Sequence, residues 1–213
     1  KSPLHLQASK SGVCYKEVFM PEFLLLSFEI AGTVAFAVSG AILGLEKRMD
    51  ILGISILGLT TAVGGGVIRD LILGITPPMT FRDPLYAAIA IAVSILVFII
   101  ARKYSTFGGK WYDVIMLIMD SIGLGVFTVI GINTAYSLDA RFSMFLLIFV
   151  GVITGVGGGI LRDIMAGDQP YVFVKHFYAS ASIIGAFVCV LIWPYAGSIA
   201  SMFAGTAIVI VLR

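Results

Sequence analysis

The amino-acid sequence predicts an all-α integral membrane protein of seven transmembrane helices, built as two inverted three-helix repeats followed by a seventh helix. Three observations predict it. The 213 residues are 59% hydrophobic and only 12% charged, about half the charged fraction of a soluble domain, with a mean hydropathy of +1.05. The apolar residues come in long runs: Phe177 to Leu212 holds no charged residue, and Ile51 to Ile68 and Phe142 to Leu161 are similarly bare. One glycine-rich segment occurs twice.

The runs match the roughly 20 apolar residues that carry a helix across the hydrocarbon core. In lipid every backbone polar group must be satisfied within the chain, so such runs are helices rather than open strands. The alternating pattern of a membrane β-barrel is absent. A formal charge of +2 does not suit nucleic acid. Cys14 and Cys189 sit in unrelated contexts, which argues against a disulfide or redox role. With only His5 and His176 besides, neither a metal site nor a cofactor is expected.

Residues 1–19 are polar and lack the apolar core of a signal peptide. Met20-Pro21-Glu22 then opens the first apolar run as a natural initiator would, so 1–19 reads as a leader added ahead of the natural start, a natural soluble extension being the alternative. The first repeat spans 20–105, the second 106–194, and the seventh helix 195–213. Windows of about 19 residues place spans near 22–45, 51–73, 84–104, 111–136, 141–166, 171–193 and 195–213. Breaks fall at the polar turn Glu46 to Asp50, at Thr76-Pro77-Pro78, at Gly108-Gly109 and at Trp193-Pro194-Tyr195, proline being unable to continue a helix. No loop is long enough to be a domain, so function must lie within the membrane. Lys47, Arg48, Arg102, Lys103, Lys110, Arg162, Lys175 and Arg213 fall on one side, against Arg69, Arg82 and Arg141 on the other. The positive-inside rule then gives a multi-pass protein of the cell membrane with its N-terminus outside and its C-terminus cytoplasmic.

The repeat is specific. Val63 to Gly74, VGGGVIRDLILG, returns as Val156 to Gly167, VGGGILRDIMAG, with seven of twelve positions identical. Thr61 and Thr154 precede the copies in register and Pro77 and Pro170 follow them; Glu29 aligns with Asp120, Phe36 with Phe127, and Tyr86 with Tyr178. Three spans per copy force the second to enter from the opposite side, the arrangement of inverted repeats that in transporters meet around a midplane site.

The candidate functional residues follow from this pairing. Gly64, Gly65 and Gly66, like Gly157, Gly158 and Gly159, weaken a helix by about 1 kcal/mol each relative to alanine. They suit a kinked helix lining an aqueous path, or alternatively close packing of small residues, a reading that also applies to Gly40-x-x-x-Gly44 and Gly151-x-x-x-Gly155. Arg69-Asp70 and Arg162-Asp163 lie almost one turn beyond. Ionisable residues at such depth face a cavity or one another, as a charged constriction or as an interfacial salt bridge capping a short helix. Glu29 and Asp120, roughly 10–14 Å into their helices at 1.5 Å per residue, are expected to attract cations or brace a kink, or else to be protonated packing groups. Thr61, Thr154, Thr33 and Ser121 are milder polar groups near these positions, each expected chiefly to bond its own helix. Neither glycine cluster is a dinucleotide fingerprint or a P-loop and no nucleophile–base set presents itself, so no enzyme is expected.

A GGGxxRD motif in each of two three-helix halves resembles the trimeric intracellular cation channel (TRIC) family, in its prokaryotic branch, from about Met20 onward. The resemblance implies a homotrimer in the lipid membrane with a pore in each subunit, conducting monovalent cations, chiefly potassium. It implies that the second and fifth helices bend at Gly64–Gly66 and Gly157–Gly159 to line that pore, with Arg69 and Arg162 beside it. The Lys-Glu-Val element of animal members is replaced here by Val67-Ile68-Arg69-Asp70, so lipid and calcium regulation are not carried over. A secondary transporter of a small solute such as glycine, its carboxylate against Arg69 or Arg162, is the second reading, and a membrane scaffold the third.

Overall fold

The computed structural model describes residues 21–103, 110–174 and 177–213. The expected leader 1–19, the Gly108-Gly109 break and Lys175 lie outside them, as does the side chain of Lys110. Among the described residues the chain forms α1 (Glu22–Glu46), α2 (Ile51–Ile72), α3 (Met79–Arg82), α4 (Leu85–Lys103), α5 (Lys110–Leu138), α6 (Met144–Met165), α7 (Tyr171–Val174) and α8 (Ala179–Leu212). Six of these, α1, α2, α4, α5, α6 and α8, are long and apolar enough to cross a membrane. The protein is therefore an all-helical, multi-pass membrane protein.

Helix ends follow local chemistry. Asp50 accepts the Gly53 N–H at 2.7 Å to start α2, and Ser143 accepts that of Leu146 at 3.3 Å to start α6, each satisfying an orphan donor of the first turn. The last glycine of each repeated motif is the stop signal. Gly74 and Gly167 take φ of 74° and 75°, a left-handed conformation that glycine enters without steric cost. The next residue then bonds back across the end: Ile75 N–H to the Asp70 carbonyl at 2.8 Å, Asp168 N–H to the Asp163 carbonyl at 2.9 Å. Both are Schellman closures.

The last expected boundary moves. Pro194 lies inside α8, and the non-helical residue is Gly197, at φ 76° and ψ 176°. Proline costs only the hydrogen bonds of the turn before it, whereas reversing the chain requires a backbone conformation that glycine supplies. Past Gly197 the chain doubles back. A methyl on Gly185 would sit 2.9 Å from the Gly205 carbonyl oxygen, and one on Gly205 3.0 Å from Cys189 Cβ. The expected sixth and seventh spans are thus the two legs of one bent element, and Tyr171–Val174 forms the short α7 rather than the start of a span.

The central packing joins α1 with α2 and α5, α2 with α6, and α5 with α6 and α8. Small residues permit it, as expected of the Gly40–Gly44 and Gly151–Gly155 stripes. A methyl on Gly40 would lie 2.8 Å from Gly58 Cα, and one on Gly151 2.8 Å from the Thr128 carbonyl oxygen. Without a hydrophobic driving force between helices in lipid, such close backbone approach supplies the attraction. α4 lies outermost: it buries only Ala90 and Ser94 and leaves Ile91, Leu96, Ile99 and Ile100 exposed.

Candidate functional site: a glycine crossing flanked by two arginine clusters

The two copies of the motif meet. A Cβ on Gly65 would run into the Thr154 carbonyl oxygen and lie 3.3 Å from Gly158 N; a Cβ on Gly158 would run into the Thr61 carbonyl oxygen. The contacts are reciprocal, and their register is antiparallel: residue 61 meets 158 and residue 65 meets 154. α1 and α5 likewise run in opposite directions, with Gly32 against Val126, Phe36 against Gly123, and Ser39 bonded across through Arg162 to Asp120. Both α2 and α6 continue as helices across their triplets. In this conformation the central glycines serve contact, and neither Gly65 nor Gly158 leaves room for a methyl between α2 and α6. A methyl on Gly64 would lie 2.5 Å from Leu161 Cδ1, one on Gly157 3.2 Å from Gly65 Cα and one on Gly159 2.5 Å from the Tyr178 hydroxyl, whereas one on Gly66 would meet only Arg69 Nη2, at 3.9 Å. The Thr61 and Thr154 hydroxyls each donate to the carbonyl four residues back at 2.6 Å, as expected.

Arg69 and Arg162 each lie about six residues from the centre of the crossing in opposite directions, which at 1.5 Å per residue separates them by about 18 Å along the helices. Each is clamped by its neighbour. Arg69 Nε donates to Asp70 Oδ1 and Arg162 Nε to Asp163 Oδ1, both at 2.8 Å. The second oxygen of each aspartate caps a short helix, accepting Met79 N–H of α3 or Tyr171 N–H of α7 at 2.8 Å. Asp70 and Asp163 therefore fix the chain that leaves α2 and α6.

Beyond that shared core the halves differ. Arg162 is fully buried, and its Nη1 also donates to Asp120 Oδ1 at 2.6 Å and to Ser39 Oγ at 2.5 Å. Arg213 reaches the other oxygen of Asp120 at 3.4 Å and lies 4.7 Å over the Tyr178 ring. Two cations and two carboxylates thus balance inside the protein, a requirement for charges removed from water. In the first half Arg69 keeps 8% of its surface exposed, and the counterpart of Asp120, Glu29, accepts a hydrogen bond from the Tyr86 hydroxyl instead. Thr33 is buried near the α1–α5 contact, and Ser121 donates to the Leu117 carbonyl at 2.6 Å.

The structure thus brings Asp120, Arg162 and Asp163 together, pairs Arg69 with Asp70, and holds Glu29 in a separate bond. Tyr178 and Arg213 are not among the site residues the sequence suggests, although Tyr178 aligns with Tyr86 and Arg213 is the charge that ends the bare stretch from Phe177. Ser39 is one of the mild polar groups near these positions, expected to bond its own helix; it accepts instead from Arg162, and its place in the second repeat is held by Ile130. Among the described residues no group of His, Cys, Asp and Glu is arranged to hold a metal ion.

A family model described as "Glycine transporter" matches residues 26–102 and again 117–194, one match in each half. The UPF0126 inner membrane protein YadS of Escherichia coli strain K12 is 39% identical over 165 residues, 78% of this chain and 77% of its own. Among solved structures, a prokaryotic TRIC channel crystallised in 0.5 M KCl superposes with a TM-score of 0.84 at 31% identity, covering 91% of this chain and 95% of that one. The TRIC trimeric intracellular cation channel orthologue from Rhodobacter sphaeroides gives 0.81 at 32% identity, over 89% and 95% of the two chains.

Proposed function

The chain belongs to the prokaryotic trimeric intracellular cation channel (TRIC) family, whose solved members match it along nine-tenths of its length, and from that membership we propose that it is a passive channel for monovalent cations, chiefly potassium. The observation that carries the reading is the reciprocal crossing of α2 and α6 at their glycine triplets, with a buried arginine–aspartate cluster on either side. It suits a path through each subunit that is shut where Gly65 and Gly158 touch. Opening then requires the helices to part or bend at the triplets, where the absence of side chains makes deformation least costly. Glu29 and Asp120 supply the negative charge that favours cations near the two ends of such a path, and Arg69 and Arg162 set its width.

The wider assembly belongs to the same proposal. Antiparallel pairing of α1 with α5 and of α2 with α6 supports inverted repeats, and the two legs of α8 support a count of seven crossings. The trimer rests on the family name. With buried and undescribed residues set aside, Lys47, Arg48, Arg102 and Lys103 oppose Arg82 and Arg141, which supports a cytoplasmic C-terminus.

Purified protein in planar bilayers under a potassium chloride gradient tests this. Discrete current steps reversing near the potassium equilibrium potential are expected. Silent bilayers, with saturable uptake of labelled glycine into liposomes of the same preparation, would replace the channel with the transporter. That second reading has an observation in its favour besides the family description: Arg162 Nη2 and the Tyr178 hydroxyl, both buried, find no partner within the described residues, and a carboxylate could accept from both.

A further inference from the structure

The repeats are alike in sequence at Glu29/Asp120 and Tyr86/Tyr178, yet their bonding differs. In the first half the tyrosine hydroxyl donates to the carboxylate. In the second half the same donor is idle: Tyr178 is 1% exposed and its hydroxyl has no partner among the described residues. Beside both groups lies the Arg213 guanidinium, over the Tyr178 ring and against Asp120 Oδ2. A buried hydroxyl without a partner costs free energy, so an arrangement that leaves one idle while its sister repeat uses it has an alternative close at hand.

We propose that Arg213 is a latch on the second-half cluster, exchanging places with the Tyr178 hydroxyl at Asp120. In the latched state Arg213 holds Asp120 Oδ2 and Tyr178 is idle, as seen here. In the released state the last turn of α8 withdraws and Tyr178 donates to Asp120, as Tyr86 donates to Glu29. The contact given up is the weaker of the two arginine contacts at this carboxylate: 3.4 Å, against 2.6 Å for Arg162, and Arg213 Nε is itself buried without a partner among the described residues. Asp120 stays bonded to Arg162 in both states, so the core of the cluster persists. Release removes one positive charge from a balanced set of four and leaves the cluster net negative, which favours a cation beside it. The second leg of α8 is suited to the movement, because its junction at Gly197 is already non-helical. The effect on current rests on the cation-channel reading above; the exchange itself does not.

Two substitutions push the exchange in opposite directions. Arg213→Gln removes the charge that latches, and Tyr178→Phe removes the bond that holds the released state while keeping the ring that Arg213 stacks on. The phenylalanine variant loses nothing in the latched state, because the hydroxyl is idle there, so it is expected to fold. Loss of a hydrogen bond to a charged group shifts such an equilibrium by about tenfold. In bilayers, Arg213→Gln is expected to raise the ratio of open to closed time about tenfold and Tyr178→Phe to lower it. Spin labels on Val211→Cys and Phe173→Cys, both exposed, in a Cys14→Ser background, report the position of the last turn without any current. The label distance is expected to lengthen with Arg213→Gln and shorten with Tyr178→Phe. Opposed shifts in both readouts support the latch. Opposed distance shifts in a protein that passes no current support the latch and sink the channel reading. Shifts of the same sign, or no shift in distance, overturn the latch. Should Arg213→Gln fail to accumulate, Arg213→Lys, which keeps the charge but loses the planar stack, is expected to give a smaller change of the same sign, and an unchanged distance there overturns it equally.

Discussion

Replacing Gly158 by alanine tests the closed crossing most directly. The added methyl would overlap the Thr61 carbonyl oxygen and stand 3.2 Å from Phe36 Cε2. The obstacle is backbone in the middle of a long helix, so it cannot rotate aside as a side-chain end would; α2 and α6 must separate along the seam. Overpacking of this kind costs about 1–3 kcal/mol, and a backbone obstacle argues for the upper end. Alanine recovers about 1 kcal/mol of helix propensity, which leaves a net loss of about 2 kcal/mol. At about 2–4 °C per kcal/mol for a protein of this length, the melting temperature should fall by about 4–8 °C. Gly65→Ala, against the Thr154 carbonyl, should behave the same way. Gly66→Ala is the internal control: its methyl would find only Arg69 Nη2, at 3.9 Å, so it should be neutral or slightly stabilising. The assay is a thermal melt of the purified protein in detergent, followed by bilayer recording of each variant. Equal melting temperatures for the Gly158, Gly66 and unsubstituted proteins would refute the reasoning, since the two sites differ only in what their methyl meets.

Two further outcomes follow from the unequal halves. Asp163→Asn forfeits one of its two bonds, to Arg162 or to the Tyr171 amide, inside a cluster sealed from water, and is expected to cost about 3 kcal/mol; Asp70→Asn, beside the partly exposed Arg69, should cost about half as much, and equal losses in thermal melts would contradict the difference in burial. Lys47 and Asp168 join the end of α1 to the loop after α6 at 2.5 Å, with side chains about a third exposed. Alanine at either should lower stability by no more than about 1 kcal/mol, and the loss should vanish at 1 M salt; a larger, salt-independent loss in the same melts would mean that the pair is shielded.

Much of the fold was legible because membrane helices follow from composition and length alone. The runs at 51–68 and 142–161 became α2 and α6, and the twelfth residue of each motif copy, a glycine, ended each helix. The shift of the last boundary from Pro194 to Gly197 was less legible. Both residues are turn formers in a polar solvent, but only one of them supplies the positive φ that a reversal needs. The sequence admits Asp70 and Asp163 either as pore charges or as caps of short helices. Their second oxygens do cap α3 and α7, elements too brief for any periodic pattern to announce. Thr61, Thr154 and Ser121 bond their own helices, as residues of their type do wherever the carbonyl four positions back is within reach.

Taken by itself, the sequence determined that this chain lives in a membrane, that it does so as helices, and that its two halves share one plan. Each of those follows from local properties: hydrophobic length, the need to satisfy the backbone, and identity between segments. Tertiary structure alone decided which charge meets which. Arg162 and Asp120 stand 42 residues apart, and Ser39 is 123 residues from the arginine it bonds. Their meeting depends on α1, α5 and α6 packing at the separations that glycine allows. The same packing makes two nearly identical motifs unequal, because the second has Arg213, beyond α8, folded against its cluster.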